Sequence, residues 1–570
     1  MRDFKSLMCK MQGQNKTNLR WLYVDSFSTD PDCIEDEKVF NYNSFSFWFQ
    51  GTGRRSAERI LMMIALPMEA NREEEIPVST FLLKRIGPLV RAWSEENQND
   101  NKAREKAQFF IQAPGNRMLR RNGLAYDEKR NKYVLRLLFQ VPLINGVSVN
   151  GKAAARAVSE LLALLEECML TLDHAQLESY VKTYRIQQQI REFLRKKGYC
   201  AFVANGSILP REKDGDAPMQ GAIPFVSPKE CEITIELKDH SAIFRGMGIP
   251  SGITVITGGG YSGKSTLLDS LEAGIYDHVP GDGREYVIAE RSTLKVYAED
   301  GRPVSKLNLS AFFKFLPGKP LEAFSTEHAS GSVSQASSIL EAVSGGSRLL
   351  LIDEDKSATN FMIRDRMMRL LVEDEPIILF TERVTELWKE KGVSTILVIG
   401  GSSEYLRLAD QVILMKDFRP SVITGQVKDL IRASEEETCS EAFAPANWID
   451  TRRLLVKETT QPFLFFRTVE TENEKKVILD EFSADVTMLT ALSTHEQLCT
   501  LTIVMERLLT DPEGKNREIL ANVQDYLEDL LICGKTGSIM PETQSWFYEE
   551  IRPLDALCCI NRMRGAEFGR

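Results

Sequence analysis

The chain has 570 residues and a mass of 64.5 kDa, so at roughly 100 to 200 residues per domain it holds several domains, and a lone binding module is excluded. With 43% hydrophobic, 27% charged and 8% aromatic residues, it can bury a large core, which excludes a disordered or fibrous chain. The formal net charge is −10, yet residues 1–150 carry 23 Lys and Arg against 18 Asp and Glu, so the acidic surplus lies in the remainder.

In chain order, the opening MRDFKSLMCKMQGQNK lacks the apolar region of about 7 to 15 residues that marks a secretory signal, and its Asp3 does not suit a transit peptide; a cytoplasmic protein is expected. The richest apolar runs, at 60–66 and 349–352, fall far short of the roughly 20 residues needed to cross a bilayer, so no membrane span is expected. Short strands are predicted at 21–24, 45–49 and 60–65, a helix at 78–93, strands at 108–112 and 133–141, and an amphipathic helix at 153–172. This makes residues 1–165 an α/β N-terminal domain. The ten cysteines show no C-x-x-C and no histidine at ligand spacing, so they read as reduced, mostly buried thiols.

Within this domain the segment 102–136 carries ten basic and three acidic residues, with Phe109, Phe110, Tyr126 and Tyr133 among them. One reading is a solvated face on a hairpin. The other is an electrostatic footprint for a phosphate backbone, with Arg117, Arg120, Arg121, Arg130 and Lys132 as contacts and the two tyrosines available to stack on single-stranded RNA or DNA.

After a charged helix at 176–197 the pattern changes near residue 246 to strand, glycine-rich turn and helix, followed by apolar strands at 348–352, 377–380, 395–399 and 411–415. Such alternation predicts a parallel sheet with crossover helices. The strand 253–257 runs into Gly258-Gly259-Gly260-Tyr261-Ser262-Gly263-Lys264-Ser265-Thr266, the phosphate-binding G-x-x-x-x-G-K-[ST] pattern between a strand and a helix. Glycines let the backbone close round a phosphate, Lys264 reaches the outer phosphates, and Ser265 offers its hydroxyl to Mg²⁺. ATP and Mg are therefore the expected ligands. Gly534-Lys535-Thr536 matches only the tail of this pattern and reads as a turn.

An apolar strand ends in Asp353-Glu354-Asp355, 89 residues after Lys264; Asp353 suits the Mg²⁺ shell, and Glu354 suits the polarising of an attacking water. Ser357-Ala358-Thr359-Asn360 follows, and Ser330-Gly331-Ser332 lies 23 residues before Asp353. These spacings resemble the D-loop and signature of the ABC class of ATPases. More narrowly, the chain is similar to the family catalogued as "predicted ATPase of the ABC class", through segments 201–211, 246–250, 258–265, 280–285, 329–335, 351–365 and 396–401, with a weaker echo at 560–565. The resemblance implies a P-loop ATPase core at 166–440, flanked by the N-terminal domain and a mainly helical C-terminal domain at 441–570. It also implies that Ser330, Gly331 and Ser332 meet the nucleotide of a second copy, so that the working form is a homodimer.

The chain departs from ordinary ABC domains in three places. The signature is Ala-Ser-Gly-Ser-Val-Ser-Gln; no glutamine occurs between Lys264 and Gln335, leaving Glu299 or Asp300 as substitute metal ligands; and Gly400-Gly401-Ser402 stands where a switch histidine is expected. None of His174, His240, His278, His328 and His495 replaces it, so slow turnover is expected. The function read from the sequence is a slow, homodimeric ATPase coupled to nucleic acid. The competing reading is an ATP-gated dimeric scaffold for a protein assembly.

Overall fold

The computed structural model describes residues 4–24, 39–51, 58–96, 106–213, 215–238, 242–318, 320–364, 366–372, 374–433, 443–455, 466–471, 473–510, 519–531 and 546–569. The chain divides into two compact units. One comprises Met1–Lys182 with Thr494–Ile503 and Asp525–Glu550, the other Thr183–Ser493 with Val504–Gln524 and Ile551–Arg570. Residues beyond 440 thus contribute to both. Among the described residues no helix is long and apolar enough to cross a membrane.

In the first unit Phe45–Gly51, Arg59–Ala65 and Lys132–Gln140 pair antiparallel, and Gln108–Phe110 and Leu124–Asp127 add to the last of these. Side chains alternate across a strand, so Phe47 and Phe49 share one face with Phe40 and Phe4, while Trp48 packs with Met63, Ala65 and Val134. The helices Glu75–Glu96 and Gly151–Leu170 bury their apolar stripes.

The second unit is built on a six-stranded sheet whose strands are β1 (Ile253–Thr257), β2 (Leu294–Val296), β3 (Leu349–Asp353), β4 (Ser394–Val398), β5 (Gln411–Lys416) and β6 (Arg419–Val422), in the order β2-β3-β4-β1-β5-β6. All neighbours are parallel except β5 and β6, which form a hairpin. A second, antiparallel sheet of Glu232–Glu236, Ile243–Pro250, Tyr199–Ala204 and Val287–Ala289 shares a core with it. The helix α1 (Lys264–Ala273) lies in that core: Leu267, Leu268 and Leu271 pack with Val203, Met247 and Ile249 of one sheet and Leu349, Ile396 and Ile413 of the other. The far face of the antiparallel sheet is covered by Ile186, Ile190 and Leu194. The α/β fold expected from the strand and helix alternation is the one observed.

Two local expectations fail. The predicted strand 377–380 makes a single bridge from Ile377 to Phe313, and Phe380 already opens the helix α3 (Phe380–Lys391). Ile378 and Leu379 are apolar because they are buried beside that helix start, and the sheet position next to β3 belongs to β4. In the region read as helical, Phe466–Glu470, Lys475–Leu479 and Phe482–Asp485 form an antiparallel meander. Val477, Leu479, Phe482 and Ala484 make its buried face, and Asp480 takes the left-handed conformation in the turn.

Candidate active site

The site grows out of β1, whose burial fixes where the following loop begins. Gly258 has φ +145°, and a β-carbon there would stand 2.2 Å from the Met415 carbonyl oxygen, so only glycine fits. Gly263, at φ +96°, precedes α1. Between them Tyr261 is fully exposed at φ +57°. Lys264 Nζ donates to the carbonyls of Gly258 (2.7 Å) and Gly259 (2.9 Å), which holds the ammonium at the mouth of the loop without neutralising it. Ser265 is exposed on the first turn of α1, and Thr266 follows half-buried. Backbone amides, a helix N-terminus and a cation therefore converge, an arrangement suited to a polyphosphate.

Asp353 closes β3, 4% exposed, with Oδ1 accepting from the Asp355 amide at 3.2 Å. Next to it, Glu354 Oε2 accepts from the amides of Gly400 (2.7 Å) and Gly401 (3.0 Å). Because β4 lies between β1 and β3, the loop after β4 adjoins both the phosphate loop and Glu354. Two backbone donors thus fix the orientation of the carboxylate that would polarise water. The sequence marks Gly400-Gly401 only as the place without a histidine; their grip on Glu354 needs the fold to be seen. Close by, burial and the Glu354 charge push the Tyr405 hydroxyl well above its usual range, and it donates to the Met362 carbonyl at 2.7 Å.

The helix α2 (Gly331–Ser344) starts after Ser330, an exposed residue whose side chain caps nothing. Ser332 Oγ donates to Asn360 Oδ1 (2.8 Å), and the fully buried Gln335 donates to Ser357 Oγ (3.0 Å) and accepts from the Ala358 amide (2.8 Å). Hydrogen bonds thus tie the start of α2 to the segment Ser357–Asn360. A β-carbon on Gly331 would stand 3.3 Å from Asp300 Oδ1 and 3.4 Å from Ala298 Cβ, which places this helix start beside the end of β2.

Of the two acidic residues expected as metal ligands, Glu299 is corrected. Its carboxylate is gripped by both arms of Arg562, one at 2.9 Å, and accepts from Ser338 Oγ at 3.4 Å. Burial raises the Glu299 carboxyl, but the Arg562 guanidinium outweighs it and leaves the group below its usual range. Asp300 stands at the start of α2. Among the described residues no three His, Cys, Asp or Glu side chains converge as a metal cage. The exposed Ser265 hydroxyl and the Asp353 carboxylate are hard oxygen donors that suit Mg²⁺, which commonly takes its remaining ligands from phosphates and water.

In the first unit the basic segment is mostly spent on the fold. Arg121, expected to touch nucleic acid, is 1% exposed; it pairs with Glu549 at 2.6 Å and donates to Thr80 Oγ1 and to the carbonyls of Leu119 and Arg117. That expectation is wrong, because a guanidinium this buried cannot reach a phosphate backbone. Arg130 pairs with Asp127 at 2.7 Å and lies 4.3 Å from the Trp48 ring centroid, and Lys132 donates to the Met68 carbonyl at 3.2 Å. Tyr133 is core, its hydroxyl donating to the Asn71 carbonyl at 2.7 Å and pushed up to about 12 by burial. Tyr126 donates to Asn131 Oδ1 at 3.0 Å. Arg117 and Arg120 are half-buried. Lys102 and Arg104, like Gly534-Lys535-Thr536, lie outside the described residues.

Comparison with known proteins finds matches to part of the chain. The model of the ABC_ATPase P-loop domain matches residues 173–452. The uncharacterized protein MJ1628 of Methanocaldococcus jannaschii is 30% identical over 285 residues, which cover 47% of this chain and 62% of that one. The Fe(3+) ions import ATP-binding protein FbpC of Pseudomonas fluorescens is 34% identical over 108 residues, 19% of this chain and 27% of its own. The chain thus spans less than two thirds of the length of either relative. Among solved structures, CbiO1 from Clostridium perfringens, part of the ABC transporter complex CbiONQ, is 18% identical with a TM-score of 0.26, covering 42% of this chain and 92% of that one. Residues 173–452 of this chain are a P-loop domain of the ABC_ATPase family.

Proposed function

We propose that the chain binds Mg·ATP and hydrolyses it slowly as a homodimer, in the cytoplasm. The observation that carries this reading is the placement of Lys264, with its charge intact, one strand away from the loop whose amides orient Glu354. Lys264 and the loop amides bind and align the phosphates. Glu354, aimed by Gly400 and Gly401, orients a water and accepts its proton as the water attacks the terminal phosphorus and the bond to the bridging oxygen breaks, giving ADP and phosphate. Ser265 and Asp353 would hold Mg²⁺, which would supply neutralisation of phosphate charge. Gly400-Gly401-Ser402 stands where a switch histidine is expected, which favours slow turnover.

The position of Ser330 supports the homodimer. Ser330 starts a helix packed beside the segments that follow β2 and β3, whereas Lys264 follows β1, two to three strand spacings away, or about 10–14 Å at the usual spacing per strand. That separation favours a reading in which Ser330 and Gly331 serve the nucleotide of a second chain, with a two-fold arrangement completing both sites at once. With saturating Mg·ATP, Glu354→Gln is expected to run as a dimer in light scattering; a monomer under those conditions refutes the shared site.

For the partner, the internal ion pairing of Arg121 and Arg130 favours the ATP-gated scaffold for a protein assembly over coupling to single-stranded RNA or DNA. Binding of RNA or DNA by the basic segment would fall steeply with salt.

A further inference from the structure

Near its end the chain turns back to the start of α2. Arg564 sends one arm of its guanidinium to the Gly301 carbonyl (2.7 Å) and the other to the Glu327 carbonyl (2.8 Å), with the Glu327 carboxylate 3.1 Å from that second arm. Those carbonyls flank a backbone bridge, in which the Gly301 amide donates to the Ala329 carbonyl (2.7 Å) and the Ala329 amide to the Arg302 carbonyl (2.9 Å). Ala329 leads directly into Ser330. One guanidinium thus spans both sides of the bridge from which the signature projects. Packing alone defines this loop poorly, since Glu327, His328 and Ser330 are exposed and only Ala329 among them is buried.

Arg564 is itself held from behind. Its amide donates to the Ser483 carbonyl (2.7 Å), and a β-carbon on the next residue, Gly565 at φ +85°, would stand 3.1 Å from Phe482 Cδ1. The antiparallel meander therefore fixes the backbone of Arg564, whose side chain grips the signature loop. Arg562, two residues earlier, differs: it spends its charge on the Glu299 carboxylate, with both side chains nearly enclosed. The acceptors of Arg564 are two neutral carbonyls and a carboxylate that is largely exposed, so its removal leaves no buried charge and costs the core little. We propose that Arg564 is a positioning residue for Ser330 and Gly331, holding their loop in the shape with which they meet the nucleotide of a second chain. This rests on the reading of Ser330 and Gly331 as half of a shared site. Arginine suits the task because its planar fork spans two acceptors at once, whereas a lysine ammonium is a point charge.

The test follows dimerisation of the Glu354→Gln protein with saturating Mg·ATP by light scattering, with the urea midpoint and the Mg·ATP affinity of the dilute monomer measured on the same samples. Into that protein are placed Arg564→Ala, Arg564→Lys, Glu327→Gln, Ser330→Ala, and Arg564→Ala together with Ser330→Ala. Arg564→Ala is expected to dimerise roughly tenfold more weakly, the scale of two lost hydrogen bonds, with monomer ATP affinity and urea midpoint unchanged. Arg564→Lys falls between, and Glu327→Gln stays close to its parent because the carbonyl clamp survives. Since Arg564 acts through the signature, its loss and that of Ser330 do not add in the double substitution. Unaltered dimerisation in Arg564→Ala, additive losses, or a urea midpoint lowered in both Arg564 variants overturns the positioning role, while a dimerisation defect in Ser330→Ala still upholds the shared site. Unaltered dimerisation in Ser330→Ala overturns the shared site, and the positioning role with it.

Discussion

Lys264 in the second unit and Arg121 in the first are both cations held by several acceptors, yet they do opposite work. The acceptors of Lys264 are two carbonyl oxygens, neutral dipoles that position the ammonium and leave its charge to act on an anion. Arg121 meets a carboxylate, Glu549, with both side chains 1% exposed, so its charge is consumed inside the fold. The lesson is that a local surplus of basic residues says little until the partners are known; a cation is available to a phosphate only where neutral groups hold it.

The largest expected effect breaks the Arg121 half of this contrast. Arg121→Ala leaves the Glu549 carboxylate buried and unpaired, and is expected to cost about 3–5 kcal/mol in urea denaturation of the first unit without changing ATP affinity. Replacing both partners by apolar residues of similar volume recovers most of that loss. An Arg121→Ala protein within about 1 kcal/mol of wild type contradicts the pairing.

A smaller effect sharpens the contrast through pH. In the first unit burial raises the Glu75 carboxyl, and burial with the Glu549 charge raises that of Glu496. In the second unit burial raises Glu299 and Asp277, but Arg562 for the one, and Arg191 with Arg291 for the other, outweigh it and lower both. A raised carboxyl contributes stability that is present below its unfolded pKa and lost as pH rises through the folded one. A lowered carboxyl contributes stability that is present above its unfolded pKa and lost as pH falls through the folded one. On acidification through the carboxylate range, hydrogen-exchange protection is therefore expected to hold or rise near Glu75 and Glu496 and to fall near Glu299 and Asp277. Parallel loss in both units contradicts the assignments.

The phosphate loop was legible because its requirement is local: glycines at set spacings, a lysine, and a strand and helix on either side. Asp353, Glu354 and the parallel sheet were legible for the same reason. Arg121 was misread because Glu549 lies 428 residues away in sequence, and no local pattern connects them. Glu299 was misread in the same way, its partner Arg562 coming from the chain's last residues. Gly400 and Gly401 act through backbone amides, which carry no residue-specific signal.

The central claim is that Glu354, aimed by the loop after β4, drives hydrolysis of ATP held by Lys264. The most direct measurement is steady-state Mg·ATP turnover of wild type and Glu354→Gln, with ATP binding measured on the same samples. Slow wild-type turnover is expected, with a loss of about a hundredfold or more in Glu354→Gln and ATP binding retained. Hydrolysis at the wild-type rate by Glu354→Gln would contradict the account.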